Sequence, residues 1–307
     1  MTLTEILDTF KTKFNPAKII NSLERTADLY DESSNNSEGN YSGEDLRNNP
    51  YSNSFGDSII TSKGMEISHK GEPLLKLTDV WKIYRMGEVE FAALKGINLE
   101  IYEGEFLVVL GPSGSGKSTL MNLLGCLDIP SKGTVFLDMK DIAGLDESEL
   151  ARIRGQMIGF IFQSFNLIPT LNTQENVLLP MEFQEENVGK ARKKADYLLD
   201  IVGLSEKKQN LPSQLSGGLR QRVAIARSLA VHPPIILADE PTGNLDSKTG
   251  EYILKFLDGL HEKEGKTIII VTHDLSIVKH ATRIVYLKDG EVEKIEKRKK
   301  NESEEDK

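Results

Sequence analysis

Apolar and polar positions along the chain fall into two kinds of strand pattern. Phe106 to Leu110, Ile158 to Phe162, Ile235 to Ala238 and Thr267 to Val271 are short continuous apolar runs. Such runs predict strands buried on both faces, as in a parallel sheet with helices packed on either side. Leu74 to Tyr84 and Ala92 to Ile101 instead alternate, which predicts half-buried strands of an antiparallel sheet. Thr134 to Leu137 reads as a further short strand, and Arg283 to Lys288 with Glu291 to Ile295 around Asp289-Gly290 reads as a hairpin. Helical patterns lie between the strands: Thr119 to Leu124, the charged Glu147 to Arg154, and the face made by Ile253, Phe256, Leu257 and Leu260.

From Gln163 to about Leu229 the pattern turns wholly helical. Asn176 to Glu185 is apolar around Pro180, and Val188, Ala191, Ala195, Leu198, Leu199 and Val202 share one face that stops at Gly203. This predicts a helical insert at about 164–229 within a folded domain spanning 74–295. Ahead of that domain, Leu3, Ile6, Leu7, Phe10 and Phe14 form one helical face and Ile19, Ile20, Leu23 and Ala27 a second. Helices this short are marginal alone, so the two faces fit either a partly ordered extension or a segment that docks on a partner. Residues 31 to about 71 are rich in Ser, Asn, Gly and acids, a composition that buries too little apolar surface to order itself. The expected extension is therefore 1–73, and a tail of mixed charge closes the chain at 296–307.

The most specific chemistry is Gly111-Pro112-Ser113-Gly114-Ser115-Gly116-Lys117-Ser118-Thr119, which fits the phosphate-loop pattern between a predicted strand and a predicted helix. Three glycines let backbone N–H groups turn inward to face a polyphosphate, with the positive end of the helix behind them. Lys117 would reach the β- and γ-phosphates, and Ser118 would offer its hydroxyl to Mg²⁺. A glycine-rich turn with a chance Lys-Ser is the competing reading; it arises in on the order of 1% of chains this long. Asp239, at the end of an apolar strand, is placed to orient Mg²⁺, and Glu240 after it to polarise an attacking water. Gln163, Asp239-Glu240 and His273 all follow buried strands, so they would converge at one edge of a parallel sheet. Ser216-Gly217-Gly218 precedes a helical run and fits either an anion site or an ordinary N-cap. Tyr84 fits either a purine-stacking ring or a cross-strand packing residue.

Composition narrows the setting. The apolar and charged fractions are those of a soluble globular protein, with no apolar run near the roughly 18 residues of a membrane helix and no secretory signal. A cytoplasmic location is expected. The formal net charge of −9 suits a polyanion poorly, so nucleic acid is not an expected partner. The single cysteine, Cys126, is expected to be a packed residue of an apolar helix.

Taken in order, the phosphate loop, Gln163, Leu215-Ser216-Gly217-Gly218, Asp239-Glu240 and His273 resemble the nucleotide-binding subunit of an ABC-type ATPase, over about Leu74 to Ile295. Three longer phrases, 121–128, 162–169 and 238–246, are similar to the lipoprotein-release and macrolide-export branch, which has a cell-division relative acting as a mechanical transmitter. The resemblance implies an α/β fold with a P-loop NTPase core of the RecA-like kind, an antiparallel β subdomain and an α-helical insert. It implies that Gly111 to Thr119 bind the phosphates of ATP with Mg²⁺, with Tyr84 as the adenine-stacking ring. Gln163 would contact Mg²⁺ and the attacking water, Asp239 would hold the metal, Glu240 would be the general base and His273 would contact the γ-phosphate. Ser216, Gly217 and Gly218 would close on the ATP of a second copy, with Asp246 crossing the same interface.

The family has Gln or Glu after the two glycines, where this chain has Leu219, which leaves the phosphate-facing set complete and predicts slower hydrolysis. The implied cycle is a homodimer that closes over two ATP molecules and opens on hydrolysis, transmitting motion to a separate integral-membrane permease. The chain would then sit on the cytoplasmic face of the membrane. Export or extraction, mechanical transmission to an extracytoplasmic protein, and a soluble role in DNA repair or translation are the three functions open to such a chain. The last would predict a long coiled coil, a second cassette or a basic face.

Overall fold

In the computed structural model the described residues are 71–298, except Glu88. The two amphipathic faces before residue 28, the polar stretch up to residue 70 and the tail beyond 298 lie outside them. Strands β1 (Leu75–Met86) and β2 (Val89–Ile101) pair antiparallel, and β4 (Lys132–Leu137) and β5 (Lys140–Asp141) complete a four-stranded sheet in the order β2-β1-β4-β5. The alternation in the sequence becomes an alternation in burial: Leu75, Leu77, Leu99 and Ile101 are enclosed while Lys76 and Asn98 face out. The antiparallel register breaks between Leu77 and Ile83, where bulges re-aim β1.

A second sheet has the order β10-β9-β3-β8-β7-β6, formed by β3 (Phe106–Leu110), β6 (Ile158–Ile161), β7 (Ile235–Asp239), β8 (Thr267–Thr272), β9 (Arg283–Lys288) and β10 (Glu291–Lys297). Pairing is parallel from β9 through β3, β8 and β7 to β6, and only the terminal hairpin is antiparallel. All of β3 and β8 is buried, as expected for strands covered on both faces. Each fully buried Ile, Leu or Val here is worth roughly 1.5–3 kcal/mol.

Helix starts carry their signals in the sequence. α1 (Lys117–Leu124) opens directly from the phosphate loop. Asp146 and Glu149 close a capping box on α2 (Glu147–Met157), and Asn172 and Glu175 another on α3 (Thr173–Phe183), each N-cap being worth about 1 kcal/mol. Asn187 caps α4 (Val188–Ile201), Ser216 caps α5 (Gly217–Ser228) and Asp246 caps α6 (Ser247–Glu264), which ends at Gly265. The α3, α4 and α5 helices form the helical segment, and α5 packs on both α3 and β6, joining that segment to the parallel sheet.

Three details depart from expectation. Thr134 to Leu137 is a strand of the antiparallel sheet, extended by β5, which the sequence pattern did not mark. Val188 is exposed rather than buried, because Asn187 caps the helix there and leaves its first residue on the outside. Cys126 lies beyond the end of α1, since Gly125 caps that helix where a Cβ would strike the Phe160 ring at 2.6 Å. Its thiol is nonetheless enclosed, and burial pushes its pKa up to about 11. Thiolate is then scarce at pH 8, so the folded protein should resist iodoacetamide and react only once denatured, as mass spectrometry would show; rapid labelling of the folded protein would contradict this packing.

Candidate functional site

The phosphate loop leaves β3, which lies between β8 and β9 in the parallel sheet. Space dictates its glycines. A Cβ on Gly111 would lie 2.2 Å from the carbonyl oxygen of Leu287, and one on Gly116 would lie 2.6 Å from that of Ala93. Gly116 also sits at φ 99°, a conformation that costs an L side chain about 1–2 kcal/mol. The turn between β9 and β10 braces the loop from outside: Gly290 N–H donates to Ser115 O at 3.1 Å while Lys95 N–H donates to Gly290 O at 2.8 Å. Lys117 is buried, and its ammonium donates to the carbonyls of Gly111 (2.9 Å) and Pro112 (2.8 Å). An ammonium has three donors, so one remains for a phosphate oxygen. Ser113 and Gly114 are exposed on the loop, and Ser118 and Thr119 begin α1, with the Ser118 side chain exposed.

Parallel pairing brings three further strand ends to the same edge. Asp239 ends β7 opposite Val271 of β8, and Gln163 follows β6, the neighbour of β7. Asp239 is half-buried, and desolvation first, then the neighbouring Glu240 charge, raises its pKa, with Lys117 acting to lower it. Glu240 takes a left-handed backbone, φ 45°, unusual for a residue with a side chain and a mark of local strain. Its Oε1 lies 2.6 Å from His273 Nδ1 and accepts the His273 N–H at 3.0 Å, while Oε2 accepts the Thr272 hydroxyl at 2.9 Å. The carboxylate is thus held against the exit of β8, and the His273 side chain is largely exposed. Gln163 is exposed beside residues 240–244, with its carbonyl accepting Asn244 Nδ2 at 2.9 Å.

The hydroxyl of Ser118, the carboxylate of Asp239 and the amide oxygen of Gln163 are oxygen donors of the kind Mg²⁺ prefers. Among the described residues no group of three or more His, Cys, Asp or Glu could hold a metal ion. A divalent ion here would therefore draw most of its ligands from phosphate and water, which is how Mg²⁺ binds at nucleotide sites.

Ser216 is exposed and its hydroxyl accepts the Leu219 N–H at 3.4 Å, so it acts as an N-cap, with Gly217 and Gly218 at the start of α5. Capping uses the Leu219 N–H and leaves the N–H groups of Gly217 and Gly218 in the first turn without a partner inside the helix. Asp246 caps α6 through the backbone and hydroxyl of Thr249, which hold its carboxyl below the usual range. The Tyr84 ring is half-buried, pairs across the sheet with Phe91 and bonds through its hydroxyl to Asp128 Oδ2 at 3.1 Å. Burial and the Asp128 charge raise its pKa, and its hydroxyl also meets Thr119 at the start of α1. The ring therefore packs across the strand pair and also stands beside the phosphate-loop helix.

Sequence reasoning gave no role to several residues that shape this site. Arg227 of α5 donates to the carbonyls of Phe165 (2.8 Å) and Asn166 (2.6 Å), both at positive φ in the loop after Gln163. Burial lowers the pKa of its guanidinium. Asn176, fully buried in α3, fastens the same loop, accepting the Ile168 N–H at 2.8 Å and reaching the Leu171 carbonyl at 2.9 Å. The loop carrying Gln163 is thereby tied to the helix that Ser216 caps. An Arg within an apolar helical run was the only signal for that tie. Thr272 is fully buried and bonds Glu240; only its place beside His273 could have marked it.

Residues 94–243 match the family model described as ABC transporter. An uncharacterized ABC transporter ATP-binding protein of Thermotoga maritima is 51% identical over 225 residues, covering 73% of this chain and 96% of the relative. A macrolide export ATP-binding/permease protein, MacB, of Syntrophobacter fumaroxidans is 48% identical over 72% of this chain but only 31% of its own length. Among solved structures, the ATP-binding cassette MJ0796 in a dimeric post-hydrolysis state bound to ADP and Pi superposes with a TM-score of 0.70 at 52% identity, covering 73% of this chain and 98% of the other. If the loop binds nucleotide, replacing Lys117 by Ala removes a charged hydrogen bond worth about 1.5–3 kcal/mol and should weaken ATP binding roughly 10- to 100-fold in calorimetry. Unchanged affinity would place the nucleotide elsewhere.

Proposed function

The chain belongs to the ABC transporter family and is an ABC-type ATPase, and from that premise we propose that it powers export or extraction of a substrate through a separate integral-membrane permease. The observation that carries the catalytic part is the meeting of Lys117, Asp239, Glu240 and His273 at one edge of the parallel sheet. Support for the permease comes from the relatives. MacB-type proteins carry an equivalent cassette within a much longer ATP-binding/permease chain, whereas the Thermotoga relative is matched over nearly its whole length by the cassette alone. No helix among the described residues is long and apolar enough to cross a membrane.

In the proposed cycle, the loop N–H groups and Lys117 bind the phosphates of ATP, and Tyr84 stacks on the adenine. Glu240 takes a proton from the attacking water while His273 turns to the γ-phosphate. Bound Mg²⁺, held by Ser118, Asp239 and Gln163, would neutralise charge developing on the phosphoryl oxygens. Ser216, Gly217 and Gly218 of a second copy close over the same ATP, Asp246 lies in that interface, and the dimer opens once the γ-phosphate has left. The dimeric structures of MJ0796 support this pairing. The Gln163 loop and the helical segment, which expose Ile168, Phe183 and Val188, would receive the permease on the cytoplasmic face of the membrane.

Glu240→Gln keeps the shape of the side chain and removes the base, so it should bind ATP, hydrolyse it at least about 100-fold more slowly and accumulate as a dimer. Light scattering at saturating ATP and Mg²⁺ reads the dimer; a strictly monomeric variant would contradict the two-chain site. The same trapped variant, tagged and recovered from detergent-solubilised native membranes, should bring down a multispanning membrane protein, and recovery of soluble or ribosomal proteins alone would overturn the transport reading.

A further inference from the structure

We propose that Thr272 is a positioning residue for hydrolysis, its buried hydroxyl fixing the Glu240 carboxylate while His273 remains free to leave it. The inference rests on the reading of Glu240 as general base. Register sets the geometry. Asp239 pairs with Val271, so Glu240 emerges beside Thr272, anchored by donation from Glu240 N–H to Val271 O at 2.9 Å. Two groups of the β8 exit then share the carboxylate, His273 at Oε1 and the Thr272 hydroxyl at Oε2.

These two contacts differ in how easily they can be broken. The His273 side chain is 67% exposed and can swing away without opening the core. Thr272 has no exposed surface, and its carbonyl accepts the Gly111 N–H at 3.4 Å, which couples it to the first residue of the phosphate loop. The direction of its hydroxyl is fixed by its neighbours. Asp274 N–H donates to Thr272 Oγ1 at 3.0 Å, so that oxygen is the acceptor there, and its single proton is directed to Glu240. An ionised carboxylate only accepts, so the bond has one possible polarity.

The consequence is a division of labour. When the His273 ring leaves for the γ-phosphate, Oε1 loses its Nδ1 contact and keeps the His273 backbone N–H, which leaves it a lone pair to take a proton from water, while Oε2 stays on Thr272. A carboxylate held by the Thr272 hydroxyl at Oε2 and by the backbone N–H at Oε1 keeps its plane and its distance from the water, and a loss of about 1 Å in such alignment costs on the order of 100-fold in rate. A merely structural Thr272, acting only as acceptor for the Asp274 N–H, would instead affect stability and leave the rate of folded protein unchanged.

The test compares Thr272→Val, which keeps the shape and removes the hydroxyl, with Thr272→Ser, which keeps the hydroxyl. Steady-state ATP hydrolysis should show kcat falling roughly 10- to 100-fold in the valine variant with KM for ATP within about twofold, and near-parental kcat in the serine variant. Parental kcat in Thr272→Val would overturn the proposal, as would an equal fall in Thr272→Ser or a valine variant that folds but loses ATP binding. If the valine variant does not fold, Thr272→Cys, a weak donor of similar size, should show an intermediate kcat, and a parental one would overturn the proposal. Hydrolysis by Glu240→Gln at the parental rate would overturn the underlying assignment of the base, a failure separate from that of Thr272.

Discussion

Parallel pairing across β9, β3, β8, β7 and β6 is the constraint from which the site follows. In a parallel sheet every strand delivers its carboxyl end to the same edge, so residues far apart in sequence meet without any need for local contact. Lys117, Asp239, Glu240, His273 and Gln163 are brought together in this way. Their backbone anchors lie in buried strands, and shifting any one of these strands by a register step would break interstrand hydrogen bonds throughout its length. These side chains therefore stand on short exits from a rigid platform, which fixes their relative positions more closely than long loops would.

Around that platform, close packing of backbone on backbone replaces side-chain contact. The carbonyls of Leu287 and Ala93 approach the phosphate loop where any side chain at Gly111 or Gly116 would collide, and Gly290 ties the terminal hairpin to both the loop and β2. On the opposite flank, the half-buried Arg227 donates to two carbonyls of the Gln163 loop, and Asn176 bonds the backbone of Ile168 and Leu171 that follow. Placing a guanidinium there is costly unless its donors are satisfied, which is why the loop must keep the shape that presents both carbonyls. In consequence the Gln163 loop is tied to the helix that Ser216 caps.

Much of this was legible in the sequence because it depends on periodicity or on fixed local chemistry. The continuous apolar runs of β3, β7 and β8 marked a doubly covered sheet, the alternation of β1 and β2 marked the half-buried one, and Gly111 to Thr119 marked a phosphate loop. Convergence of Gln163, Asp239-Glu240 and His273 followed from their common position after buried strands. What could not be read were the properties set by tertiary contact. Whether Gly125 ends α1 before Cys126 depends on the Phe160 ring across the interface, and the exposure of Val188 depends on where Asn187 begins its helix. The tie from Arg227 to residues 165 and 166, and the bond from Thr272 to Glu240, join segments whose distance in space no local pattern encodes. Tyr84 was ambiguous for the same reason: the structure gives it a cross-strand partner and a place beside α1 at once.

The account's central claim is that one ATP is held by the phosphate loop of one chain and the Ser216 turn of another, with Glu240 aligned behind it. The most direct measurement is a crystal structure of Glu240→Gln grown with ATP and Mg²⁺. The account predicts two chains head to tail, Lys117 on the phosphates, His273 turned from residue 240 to the γ-phosphate, and the partner's Ser216 turn closing the site. ATP bound by a single chain, with its Ser216 turn facing solvent and His273 still on residue 240, would contradict it.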